Sequence, residues 1–82
     1  MAEEPNWDVD IDYEYDNRSE SVSRINGLMA EGNWQHIGVF HRADGTFAVD
    51  SDWEFDNISE ALTRIQAQVQ VPGFVGASIK IA

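Results

Sequence analysis

Two stretches of this chain alternate strictly between apolar and acidic residues. From Trp7 onward, Trp7, Val9, Ile11, Tyr13 and Tyr15 fall on one side, and Asp8, Asp10, Asp12, Glu14 and Asp16 on the other. A period of two is the pattern of a strand with one face buried and one face wet. The second stretch opens at Val49 and places Val49, Trp53 and Phe55 opposite Asp50, Asp52, Glu54 and Asp56. After each stretch the period lengthens to that of a helix. Val22, Ile25 and Met29 form one apolar stripe, and Leu62, Ile65 and Val69 form the other. Each helix has a start signal, Asn17 with Glu20 and Asn57 with Glu60, spaced as in a capping box. Gly32 and Pro72-Gly73 supply the stops. Apolar runs from Gln35 to His41 and from Val75 to Ile81 predict two further strands.

These elements come from a duplication. VDIDYEYDNRSESVSRIN from Val9 and VDSDWEFDNISEALTRIQ from Val49 align without gaps at an offset of about forty residues. Val9, Asp10, Asp12, Glu14, Asp16, Asn17, Ser19, Glu20, Arg24 and Ile25 recur as Val49, Asp50, Asp52, Glu54, Asp56, Asn57, Ser59, Glu60, Arg64 and Ile65. Trp34 falls opposite Phe74. Arg24 and Arg64 each lie four residues after a glutamate, so helix-surface ion pairs with Glu20 and Glu60 are expected. Between strands two and three, Ala43-Asp44-Gly45 fits a three-residue hairpin loop with a left-handed glycine. That loop sets Val39 beside Val49 and Phe40 beside Ala48. The inward set then includes Ile37, Val39, Phe47, Val49, Trp53 and Phe55, with Ala77, Ile79 and Ile81 opposite.

The element order is βαββαβ, and over nearly the whole chain it resembles the ferredoxin-like fold. The resemblance implies an α+β open-faced sandwich: an antiparallel four-stranded sheet in the order 4-1-3-2, with two helices on one face. Right-handed crossovers put both helices on the same side. The carboxylate face cannot be the covered one, because burying unpaired ionised groups is too costly. The chain therefore divides into a disordered lead-in, residues 1–6, and one domain, 7–82, built from repeats at about 8–41 and 48–81. Residues 8–41 should superpose on 48–81 by a near two-fold rotation.

Composition narrows the function classes. Acidic side chains outnumber basic ones 15 to 5, for a net charge of −10. Such a chain does not neutralise phosphates, so direct nucleic-acid binding and attachment to an anionic membrane are both disfavoured. The absence of cysteine excludes disulfides, thiolate metal sites and cysteine nucleophiles. No run is long and apolar enough for a membrane span, which points to a cytoplasmic protein. His36 and His41 are expected on opposite faces of strand two and form no tetrahedral ligand set. Calcium needs converging oxygens, which a flat strand spreads apart. No phosphate-cradling glycine loop is present, and nothing orients a catalytic dyad. No catalytic residue, metal site or cofactor is expected.

The acidic face is the feature with chemical content. Nine carboxylates, Asp8, Asp10, Asp12, Glu14 and Asp16 with Asp50, Asp52, Glu54 and Asp56, are expected in two adjacent rows. At roughly 6 Å in water each like-charge pair costs about 0.7 kcal/mol. Three explanations compete for a face that tolerates this penalty. It is a plain solvated surface; or it is an adaptation to high salt, suggested by the single Lys80; or it mimics a nucleic-acid backbone. Salt adaptation should also scatter acids over the helices, which carry few. RNA-recognition domains of this topology place stacking aromatics where this chain has carboxylates.

In size, acidity and lack of catalytic motifs the chain resembles small phage-encoded inhibitors, the anti-restriction and anti-CRISPR proteins that mimic DNA. The resemblance implies a non-enzymatic protein in the host cytoplasm. Its partner would be a basic nucleic-acid-binding protein, a nuclease or its recognition complex. Trp34 and Phe40, with His36 and Phe74, are expected to fringe the acidic face, edge-strand packing being the equal alternative. The other reading is a housekeeping ferredoxin-like module, binding a small ligand or serving oligomerisation, from a halophile if the acids reflect salt. The unpaired edges of strands two and four leave room for a homodimer.

Overall fold

A computed structural model describes residues 4–82. The elements are β1 (Trp7–Tyr15), α1 (Arg18–Glu31), β2 (Trp34–His41), β3 (Phe47–Phe55), α2 (Ile58–Gln68) and β4 (Phe74–Ile81). All strand pairs are antiparallel, and the sheet order is β2-β3-β1-β4. β2 and β4 each begin one residue earlier than the pattern predicts. The central strands pair over their full length, with Val9 opposite Trp53, Ile11 opposite Ser51 and Tyr13 opposite Val49. Both helices cover this apolar side. Val9, Ile11, Tyr13, Val49 and Trp53 are fully buried there, together with Leu28 and Ala61.

Turn chemistry fixed the register as expected. Arg42 and Thr46 close the β2–β3 hairpin by an N–H···O bond of 2.9 Å, and Gly45 takes φ 93°. Val39 pairs with Val49 and Phe40 with Ala48. Both N-caps form: the Asn17 and Asn57 side-chain oxygens each accept the backbone N–H three residues on, at 2.9 Å, while Glu20 and Glu60 reach back to the asparagine side-chain amides rather than to the backbone. The duplication extends to single hydrogen bonds. Glu14 N–H donates to the Gly73 carbonyl (2.7 Å), and Glu54 N–H donates to the Asn33 carbonyl (3.2 Å). Gly73 and Asn33 both have positive φ.

The helix faces differ from the expected stripes. α1 turns Ser21, Ile25 and Leu28 inward, and α2 turns Ala61, Ile65 and Gln68 inward. Val22, Met29, Leu62 and Val69 are left largely exposed. Ile25 and Ile65 pack against the core as expected, but the buried positions on either side of them lie one residue before the apolar ones. Small Ser21 and Ala61 stand at the covered position, and Gln68 is buried because it accepts the Tyr13 hydroxyl. The same rotation overturns the expected arginine pairs. Arg24 and Arg64 point inward, their guanidinium carbons 5.7 Å from the Tyr13 ring centre and 5.1 Å from that of Trp53. Glu20 and Glu60 accept from Asn17 and Asn57 instead.

At the sheet margins, Val39 and Ile81 belong to the inward set but stay largely exposed, while Ile37 and Ile79 of the same edge strands pack against the core. Of the expected lead-in, residues 1–3 lie outside the described residues. Glu4 and Asn6 are bonded to the domain: Ile58 N–H donates to Glu4 Oε1 (2.8 Å), and Ala82 N–H to the Asn6 carbonyl (2.9 Å).

Candidate functional site

The open side of the sheet is built from alternate residues of all four strands. β1 contributes Asp8, Asp10, Asp12 and Glu14, and β3 contributes Asp50, Asp52 and Glu54. The rows are in register, with Asp8 opposite Glu54, Asp10 opposite Asp52 and Asp12 opposite Asp50. Like charges directly opposite one another on a sheet destabilise it. Asp16 and Asp56 do not join the rows. Each lies one residue past its strand and is exposed, where the chain turns into the helix cap.

The outer strands decide how the charge is balanced. Lys80 stands opposite Asp8, His36 opposite Asp52 with Nδ1 3.7 Å from a carboxylate oxygen, and Arg42 bonds Glu14 at 3.0 Å. Three of the few cationic or potentially cationic groups therefore sit around the rim. Among the described residues no cation lies within 4.0 Å of Asp10, Asp12 or Asp50 at the centre. Beside Asp12 is Gly76, and beside Asp50 is Gly38. A side chain at Gly76 would meet nothing within 4 Å, so the face is open beside Asp12, whereas at Gly38 it would meet the His36 ring at 3.2 Å, so the imidazole covers the space beside Asp50. Sequence reasoning passed over this pair; glycine in a strand interior was the available signal.

Crowding changes the central carboxylates. One oxygen each of Asp10, Asp12 and Asp50 lies within 4.8 Å of the others, and His36, Asp50 and Asp52 form a second such group. Burial by the surrounding strands pushes Asp10 up to about 7; a hydrogen bond shared with Asp50 and the charges of Asp12, Asp50 and Asp52 act in the same direction. Asp12 rises to about 6 for the same reasons, first its burial and then its bond with Asp50, opposed by Arg42. One Asp10 oxygen is shielded from water and has no hydrogen-bond partner among the described residues. The centre therefore shares protons near neutrality. The strands thus bring together oxygens that a flat strand was expected to spread apart.

The aromatic fringe is only partly as expected. Phe40 pairs with Ala48 on the acidic side and is 56% exposed, at the Glu14–Arg42 end. Trp34 lies on the helix side instead. A bulge between Trp34 and His36 reverses the alternation, so Trp34 pairs with Trp53 and its indole N–H donates to the Met29 carbonyl at 3.2 Å. Phe74 also points inward, edge-on to Tyr13 with ring centres 6.4 Å apart. His36 and His41 do face opposite sides: His41 stacks on Phe47 at 4.3 Å. The bulge brings Gln35 to a shallow cleft at the far end of the acidic face, with Asp8, Asp10, Asp52, Glu54, Ser78 and Lys80.

No family model and no curated protein matches this chain. Among solved structures it is similar to the solution structure of the ACT domain from the GTP pyrophosphokinase of Chlorobium tepidum. The TM-score is 0.60 and the identity 16%, over 92% of this chain and 84% of that one. The likeness concerns the fold. Together with the element order and sheet topology, it shows that this chain is a ferredoxin-like α+β sandwich. No helix among the described residues is long and apolar enough to cross a membrane.

Proposed function

We propose that this chain is a non-enzymatic inhibitor whose acidic sheet face takes the place of DNA in the groove of a basic nucleic-acid-binding protein. A nuclease or its recognition complex is the partner of that chemistry. The setting is that of a phage-encoded anti-restriction or anti-CRISPR protein acting in the host cytoplasm. The observation that supports this most is the pair of carboxylate rows on β1 and β3, in register on the uncovered side of the sheet. Carboxylates along a row stand about 6.6–6.8 Å apart and rows about 4.8 Å apart, a charge density that a Lys/Arg groove can match. The open space over Gly76 lets long basic side chains reach Asp12, and Phe40 offers an apolar contact at one end. The test is capture of the partner from the native host's lysate, elution with salt, and competition with duplex DNA.

A second reading is favoured by the fold likeness to an ACT domain: a housekeeping module that binds a small ligand or serves oligomerisation. On that reading duplex DNA does not compete with any captured partner, and reversing the central charges leaves partner binding intact.

A further inference from the structure

The two repeats are so alike that a difference between them is informative. The backbones of α1 and α2 stand apart over the sheet centre, and the space between is occupied by arginine and aromatic side chains. On each side this leaves a cleft, and the two clefts are lined by corresponding residues. The first has Tyr15, Ser19, Ser23, Arg24 and Gly27; the second has Phe55, Ser59, Thr63, Arg64 and Ala67. The same chemistry is built twice, on the side of the sheet away from the acidic face.

The two arginines are neutralised differently. Arg64 bonds the Glu31 carboxylate at 2.8 Å. The residue that corresponds to Glu31 in the second repeat is Val71, so the chain supplies no carboxylate to Arg24 from that position. Among the described residues Arg24 has no carboxylate within 4.0 Å. Its Nε–H donates to the Tyr15 hydroxyl at 3.3 Å, a neutral partner that leaves the charge unbalanced. Tyr15 is fixed in turn by donating to the Pro72 carbonyl at 2.8 Å. Its counterpart Phe55 has no hydroxyl.

We propose that the first cleft binds a small carboxylate-bearing molecule on Arg24, the arginine that lacks the carboxylate partner Arg64 has in Glu31. In the second repeat Arg64 already has a carboxylate partner in Glu31, so the difference between the arginines lies in that pairing. The cleft is an open groove of about 500 Å³. The Ser19 and Ser23 hydroxyls can donate to a bound carboxylate beside the guanidinium. Glu20 also lines the cleft and opposes an anion; its carboxylate is engaged by the Asn17 side-chain amide at 2.6 Å. That opposition, with the chain's net charge of −10, weakens the expected affinity. The site is independent of the acidic face and of the function proposed for it.

The experiment is an NMR titration of the whole chain with sodium acetate against sodium chloride at matched ionic strength. The expected result is saturable, acetate-specific shifts of the Arg24 Nε–H and of the Ser23 and Gly27 amides, with the Arg64 Nε–H unmoved. Ser23→Asp, an exposed substitution that sets a carboxylate in the cleft without touching the core, should abolish the response, as should Val71→Glu if that variant folds. Glu31→Val should create a second response, at Arg64. The proposal is overturned if acetate and chloride move the same resonances equally, if Ser23→Asp leaves the titration unchanged, or if the Arg64 resonance of the unaltered chain responds as strongly as that of Arg24.

Discussion

The two sides of β1 and β3 are made from alternate residues of the same eighteen positions, yet they are opposites in energetic character. Inward, Val9, Ile11, Tyr13, Val49 and Trp53 are buried to within 1% of completeness. Outward, carboxylates face one another across the strands, and two of them take up protons near neutrality. The inner side fixes the register, because a slip of one residue would drive the acids into the core. The outer side is held in place by that core and contributes repulsion rather than stability. The acidic array is thus a surface carried by the fold, free to be shaped by something other than folding.

The strongest way to break this comparison is to treat neighbouring residues on the two sides alike. Trp53→Ala removes a fully buried side chain, its indole bond to Ser51 (3.0 Å) and the stacking of Arg64. Chemical denaturation should show a loss of about 3–5 kcal/mol. Asp52→Ala, one residue away on the outer side, should leave stability unchanged or slightly raised. Equal losses would mean that the acidic face is structural after all.

A weaker effect sharpens the comparison through pH. Asp10 and Asp12 have folded-state values of about 7 and about 6, raised from an ordinary 3.8. Between those limits the folded chain binds more protons than the unfolded one, so stability falls as pH rises. Denaturation midpoints should be highest below about pH 4, decline from pH 4 through pH 7, and level off above pH 8. Asp10→Asn should flatten much of that decline and stabilise the chain at pH 8. A profile that rises across this window would show that the central carboxylates are favourably paired. The smallest expected effect is that of salt. Moderate sodium chloride should raise the melting temperature slightly, since screening over about 10 Å at 0.1 M softens the repulsion between rows. Asp12→Asn with Asp52→Asn should lessen that response.

What the sequence disclosed was local or strictly periodic. Asn17 with Glu20, the Ala43-Asp44-Gly45 turn and the alternation of β1 each act within a few residues, and they fixed the elements, the register and the open face. The helix orientation was not legible from apolar periodicity. The covered positions went to small Ser21 and Ala61, to Gln68 with its tyrosine partner, and to arginines stacked on aromatic rings. Those choices depend on the distance between helix and sheet, which no single element encodes. Nor was the position of Trp34, because the bulge before His36 is a property of the paired strands. Of the candidate site, seven carboxylates and Phe40 stand where alternation placed them, while Asp16 and Asp56 fall just beyond the strands.

The central claim is that the outer side serves as a stand-in for DNA. It is tested most directly by a competition assay, in which the partner captured from host lysate is presented with this chain and with duplex DNA together. The account predicts mutually exclusive binding that weakens steeply with salt, as expected when complementary charge drives association. It also predicts loss of that binding in Asp12→Lys with Asp52→Lys, while Glu20→Gln on the helix side leaves it intact. A stable ternary complex of partner, DNA and this chain would contradict the claim.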